Sequence, residues 1–142
     1  PVTAFMAAAV KSAAFATFAR TFYAHLPMPV QAWTPVPGWL AAATMVVGNV
    51  VALQQQNLKR LLAYSSIVHS GYLLVAVLAN SSLGSSAFVF YVLAYTLATF
   101  GAFAVISTLQ TGGDRPPMMA DYAGLWHVRP WLAVGMAVFL LA

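Results

Sequence analysis

With 142 residues, 62% of them hydrophobic, 6% charged and a mean hydropathy of +0.83, the chain lacks the polar residues that coat a water-soluble globule, where about a quarter charged is ordinary. It reads as an integral membrane protein. The absence of cysteine excludes disulfides, thiolate nucleophiles, cysteine-ligated zinc and iron–sulfur clusters, and the net charge of +4 is spread over connecting segments, which points to membrane topology rather than nucleic-acid binding.

The first apolar run covers residues 2–22 and holds one ionisable group within its apolar stretch, Lys11. In a helix rising 1.5 Å per residue, ten residues place its ammonium about 15 Å deep, near the middle of a hydrocarbon core about 30 Å thick. Such a charge is costly, faces protein or water, and marks an ion or proton pathway by default. A lysine near a helix end snorkels to the interface instead, but Lys11 is far from both ends. The run is not a signal peptide, because no basic region precedes it and a lysine interrupts it.

A connector with four prolines, Pro27, Pro29, Pro35 and Pro37, follows; proline cannot continue a helix, and Trp33 and Trp39 suit an interfacial belt. A second helix is expected over 38–56. Its Thr44, Gly48 and Asn49 read as a small-residue helix contact with one polar anchor, and its end at Gln54–Asn57 as a polar terminus or a wetted entrance. A third helix is expected over 60–79, beginning at the basic pair Lys59-Arg60. Here Ser65, His69 and Tyr72 recur at i, i+4, i+7 on one face, with Tyr64, Ser66 and Ser70 beside them. This polar stripe can order water. Its imidazole stands about as deep as Lys11 and ordinarily titrates near 6.5, so Lys11 and His69 are a candidate proton relay, with Ser65, Tyr72 and Tyr95 in support. The competing reading of His69 is interhelical packing glue.

The polar stretch Asn80–Ser86 is expected as a turn before a fourth helix over 86–109. Its Tyr91, Tyr95, Thr96 and Thr99 read first as packing groups whose hydroxyls bond carbonyls of their own helix. Thr111–Pro117 closes it, Asp121–Trp131 forms a connector that carries a short surface helix, and a fifth, truncated helix starts near 129 and reaches Ala142. The expected fold class is an all-α polytopic bundle of four full spans and a truncated fifth, read as a single membrane unit over 1–142. Pro1 in place of an initiating Met, together with the short last run, marks the sequence as a piece of a longer chain. Lys59, Arg60, Arg115 and Arg129 fall on one side and Arg20, with His25, on the other, so the first side is expected to be cytoplasmic. No Gly-rich phosphate loop, local metal motif or intramembrane carboxylate is present to support bond-making chemistry.

The stretch from Gln54-Gln55-Gln56-Asn57-Leu58-Lys59-Arg60 through Tyr64-Ser65-Ser66-Ile67-Val68-His69-Ser70-Gly71-Tyr72 closely resembles the signature of the antiporter-like membrane subunits of respiratory complex I. Val10-Lys11-Ser12-Ala13-Ala14-Phe15, Tyr95-Thr96-Leu97 and Asp121-Tyr122-Ala123-Gly124-Leu125 agree with one paralogous branch of that family. The resemblance covers essentially the whole chain, which would match helices eight to twelve of a fold of roughly fourteen. It implies a multi-pass subunit of the cell inner membrane that moves protons while electrons pass from NADH to quinone elsewhere. NADH, FMN, iron–sulfur clusters and quinone would then belong to partner subunits, with no cofactor in this chain. Its partners would be other membrane-arm subunits and lipid, not nucleic acid. Lys11 matches the family's eighth-helix lysine and His69 the tenth-helix histidine of many members. The family's other key groups, a Glu on the fifth helix and Lys residues on the seventh and twelfth, fall outside the chain. A cation/proton antiporter or a membrane-bound hydrogenase shares the signature, and a structural scaffold would need neither relay group.

Overall fold

The computed structural model describes residues 5–25, 34–110 and 117–141, apart from the side chains of residues 7, 8 and 22–25. Several expectations lie outside the described residues: the start of the first run, the connector residues Pro27, Pro29 and Trp33, the turn at 111–116 with Asp114 and Arg115, the His25 imidazole and Ala142. Every regular element described is helical, in keeping with an all-α membrane bundle. A π-helical turn, Met6–Val10, runs directly into α1 (Lys11–His25). Then come α2 (Pro35–Leu53), α3 (Leu58–Leu78) and α4 (Ser82–Leu109), a 3₁₀ turn at Met119–Tyr122, the single turn α5 (Leu125–Val128), and α6 (Pro130–Leu141).

Among the described residues three helices, α2, α3 and α4, are long and apolar enough to cross a bilayer, where four full spans were expected. The first run divides into the π turn and the fifteen residues of α1, and α6 has twelve residues. At 28 residues, α4 is about 42 Å long and exceeds a hydrocarbon core of about 30 Å.

Local chemistry sets the helix boundaries and moves several of them. α2 starts at Pro35 instead of residue 38, with Pro37 in its first turn and the Gly38 N–H bonded to the Thr34 carbonyl at 3.0 Å. First-turn amides have no intrahelical partner, so prolines there sacrifice nothing. α2 ends at Leu53 instead of 56, and Gln54 and Gln55 turn back onto Val51 and Ala52. Asn57 caps α3 by accepting the Lys59 and Arg60 N–H groups at 3.0 and 3.3 Å. Past α3, Asn80 adopts φ 39°, a left-handed conformation that asparagine tolerates. Ser81 then caps α4 through the Gly84 N–H at 3.0 Å. The expected turn at 80–86 therefore shrinks to Asn80 and Ser81, and Ser82–Ser86 are helical.

A short connector makes α2 and α3 an antiparallel pair, and two glycines let them close. A Cβ on Gly48 would lie 2.8 Å from a Val68 methyl, and one on Gly71 would lie 2.6 Å from Met45 Cγ, 2.8 Å from Thr44 Oγ1 and 3.0 Å from the Ala41 carbonyl. Two apolar clusters complete the interior. One joins α3, α4 and α6 through Leu58, Leu62, Ala102, Phe103, Val105, Ile106 and Met136. The other seats Ala19 of α1 against Leu73 and Val77 of α3 and Phe88 of α4. Elsewhere the surface is apolar, with Trp39, Leu53 and Phe90 largely exposed, as suits lipid or further protein rather than water.

The two connectors near the basic residues meet. The Leu58 N–H donates to the Pro117 carbonyl at 3.0 Å and the Met119 N–H to the Gln56 carbonyl at 2.8 Å, an isolated bridge centred on Asn57 and Met118. The segments flanking Lys59, Arg60 and Arg129 thus share one end of the bundle.

Candidate functional site

Lys11 is the first residue of α1, where π geometry gives way to α. π turns inside helices are frequent at functional sites because they redirect the side chains that follow. Its ammonium reaches α3, donating to Ser66 Oγ at 2.7 Å and to the Ser66 carbonyl oxygen. That carbonyl also accepts the Ser70 hydroxyl at 2.9 Å. The next residue, Ser12, reaches α4 instead, its hydroxyl 2.8 Å from Thr96 Oγ1. Thr96 also donates to the Val92 carbonyl at 2.6 Å. Consecutive residues of α1 therefore clasp two different helices.

One turn beyond Ser66 on α3 stands His69, half-buried and within electrostatic range of Lys11. Its Nδ1 lies 2.5 Å from the Tyr91 hydroxyl on α4. The Tyr95 ring is tilted over the imidazole at a centroid distance of 4.6 Å, and Tyr72 meets it edge-on at 5.9 Å. Three phenols from two helices thus surround one imidazole. A cavity of about 430 Å³ opens beside it between α3, α4 and α6, lined by Ser65, His69, Tyr91, Tyr95 and Thr99 with apolar neighbours such as Phe139. At about 30 Å³ per water it has room for roughly fourteen molecules, and the polar groups along its wall are partners for them.

The five residues expected from the sequence fall into two groups. Ser65, His69, Tyr72 and Tyr95 gather at the α3–α4 contact, whereas Lys11 meets α3 through Ser66. Tyr64 points elsewhere, toward Thr44 and Gly48 of α2. Three expectations change. Tyr91 is the direct partner of His69 rather than a packing group bonded within its own helix. Ser66, placed beside the stripe, is the residue that holds Lys11. Within or at the end of α2, Thr44 donates to Ala41, Asn49 to Met45 and Gln55 to Val51, so the amide of Asn49, expected as a polar anchor between helices, bonds its own helix.

The connector groups stand apart from this cluster. Tyr122 is half-buried beside Asp121, and burial first, then the Asp121 charge, push its phenol above the ordinary range, so it stays neutral. Asp121 accepts the Met118 N–H at 2.9 Å and serves the turn. His127 is exposed. Among the described residues no three His, Cys, Asp or Glu side chains gather as a metal site would require. The arrangement suits proton transfer: an ammonium, an imidazole, hydroxyls and a space for water, without a nucleophile or a carboxylate positioned for bond-making.

All 142 residues match the family described as NADH:quinone oxidoreductase/Mrp antiporter, TM. The chain is 59% identical over its full length to NADH-quinone oxidoreductase subunit N of Gemmatimonas aurantiaca, of which it covers 27%. It is 45% identical to the subunit N of Trichlorobacter lovleyi and 49% identical to subunit N 1 of Herpetosiphon aurantiacus, covering 29% of each. It spans less than a third of the length of these relatives.

Proposed function

The chain belongs to the NADH:quinone oxidoreductase/Mrp antiporter transmembrane family, and from that premise we propose that it forms part of the membrane arm of a proton-translocating NADH-quinone oxidoreductase in the cell inner membrane. Electron transfer from NADH to quinone, with its FMN and iron–sulfur clusters, takes place in partner subunits and drives proton movement through this one. Lys11 and His69 hold and pass the proton, and water beside His69 carries it toward α6.

The observation that carries this reading is the position of the Lys11 ammonium on α3, one helical turn from His69, with a partly polar cavity next to the imidazole. Proton hopping needs groups a few ångströms apart or bridged by water, and one of them must titrate near neutrality, as imidazole does. A charge delivered to His69 repels the Lys11 ammonium, and its removal relaxes that repulsion. The pair can therefore alternate between holding and releasing a proton without large backbone motion. The similarity to these oxidoreductase subunits favours the oxidoreductase over a free-standing cation/proton antiporter, the other class in the family.

The test uses membrane vesicles carrying the full-length protein in its complex, with Lys11→Ala or Lys11→Arg, after assembly is verified. NADH-driven quinone reduction and proton uptake are recorded together. Loss of both activities in both variants is expected, because arginine keeps its proton under all working conditions. Normal pumping by both variants would refute the relay. Sodium-dependent transport that persists without NADH would favour the antiporter.

A further inference from the structure

The relay needs Lys11 to leave its resting place and return to it, and the structure shows what holds it there. The Lys11 ammonium takes two acceptors from one residue of a neighbouring helix, the Ser66 hydroxyl at 2.7 Å and the Ser66 carbonyl. Both are bonds to a charged donor, which are stronger than neutral ones. This pair of bonds sets where the ammonium rests.

A holding site is useful only if it opens without stranding polar groups, since a buried acceptor left bare costs heavily. Ser66 meets that condition. Its carbonyl keeps the Ser70 hydroxyl at 2.9 Å when Lys11 leaves. Its own hydroxyl can rotate onto the carbonyl four residues back, that of Leu62, as serine and threonine hydroxyls do within helices. The same fallback is in use twice nearby, in Ser70 to Ser66 and Thr96 to Val92. Ser66 therefore has two satisfied states, one with Lys11 and one without.

The surroundings make the choice between these states depend on the relay. His69 lies three residues on from Ser66, on the adjoining part of the same helix. Among the described residues, the titratable group within electrostatic reach of the ammonium is His69 on α3, and its imidazole in turn meets Tyr91 and Tyr95 of α4 and Tyr72 of its own helix. Ser12 and Thr96 hold the base of Lys11 in place through α4, so the side chain moves while the backbone beneath it stays. We propose that Ser66 is a positioning residue that docks the Lys11 ammonium in one of two stations, releasing it toward His69 when the imidazole is neutral and recovering it when the imidazole is charged.

This proposal rests on the proton-relay reading of Lys11, and the experiment separates the two. Ser66→Ala and Ser66→Thr are made in the full-length protein within its complex, beside Lys11→Ala, and NADH-driven proton pumping is measured against pH in vesicles. Ser66→Ala, which removes the hydroxyl and leaves the carbonyl, is expected to slow pumping about tenfold, the factor expected from one hydrogen bond to a charged group. It should also displace the pH dependence of pumping by about one unit. Threonine should restore both to within about twofold, since it keeps the hydroxyl. If the alanine variant assembles poorly, Ser66→Cys, close in size but a weak acceptor, is read in its place with the same expectation. Pumping at the wild-type rate with an unmoved pH dependence overturns the docking role, as does equal loss with threonine and alanine, which would indicate packing alone. If Lys11→Ala itself pumps normally, the relay reading has failed; if it is inactive while Ser66→Ala is normal, only the docking station has.

Discussion

Gly71→Ala places a methyl where the α2–α3 pair has least room, two residues from His69. The new Cβ would meet Met45 Cγ at 2.6 Å, Thr44 Oγ1 at 2.8 Å and the Ala41 carbonyl at 3.0 Å. Comfortable contact needs about 4 Å, so the helices must part by roughly 1 Å on that side. The Met45 side chain can turn away, but the Ala41 carbonyl is backbone in a helix and cannot. Overpacking of this kind costs about 1–3 kcal/mol, against a helix-propensity gain of about 1 kcal/mol for replacing glycine by alanine. The net is a destabilisation of up to about 2 kcal/mol. Two other glycines provide the scale. Gly48→Ala meets a Val68 methyl at 2.8 Å, a side chain with some freedom, and Gly38→Ala finds its nearest neighbour, a Leu78 methyl, at 3.9 Å. Thermal inactivation of NADH-driven quinone reduction in the assembled complex should rank the three as Gly71→Ala least stable, then Gly48→Ala, with Gly38→Ala equal to or above the wild type. Because the wedge pushes α3 away from α2, Gly71→Ala should also slow proton pumping at temperatures where the complex is intact. If Gly71→Ala and Gly38→Ala prove equally stable, the close approach of α2 and α3 argued from these distances is wrong.

Other substitutions probe the same elements separately. Tyr91→Phe keeps the ring in its apolar cluster and removes the hydroxyl 2.5 Å from His69 Nδ1; it should leave assembly intact while slowing pumping about tenfold through the loss of one polar partner worth about 1–2 kcal/mol, and wild-type pumping would reduce Tyr91 to packing. Asn57→Ala deletes the acceptor of the Lys59 and Arg60 amides and should cost about 1 kcal/mol, read as faster thermal inactivation without a changed pH dependence. Ser12→Ala and Thr96→Ala remove opposite ends of one bond, so the double variant should be no slower in pumping than the worse single one; additive losses would show that the two hydroxyls act apart.

Much of the architecture was legible along the chain because a bilayer allows few solutions. Its core admits only helices or closed barrels, so apolar runs punctuated by proline, serine and charge sufficed to locate the helices, and Lys11 stood out because a charge within such a run is costly wherever it points. His69 and its stripe followed from a helical period that needs no partner to compute. Several boundaries moved for local reasons, as at Pro35 and Ser81, where caps and first-turn prolines outweighed the polar composition of the turn. The π turn before Lys11 has no signal in a run of alanines. What only the tertiary structure decided is which polar group meets which. Ser66 is 55 residues from Lys11 and Tyr91 is 22 from His69, and neighbouring serines on one helix, Ser65 and Ser66, face different partners. Side chains one residue apart point about 100° apart around a helix axis, so their roles depend on the rotation at which α1 and α4 settle against α3. That rotation is set by packing of Ala19 and Phe88 against Leu73 and Val77, a sum over contacts between segments far apart in sequence.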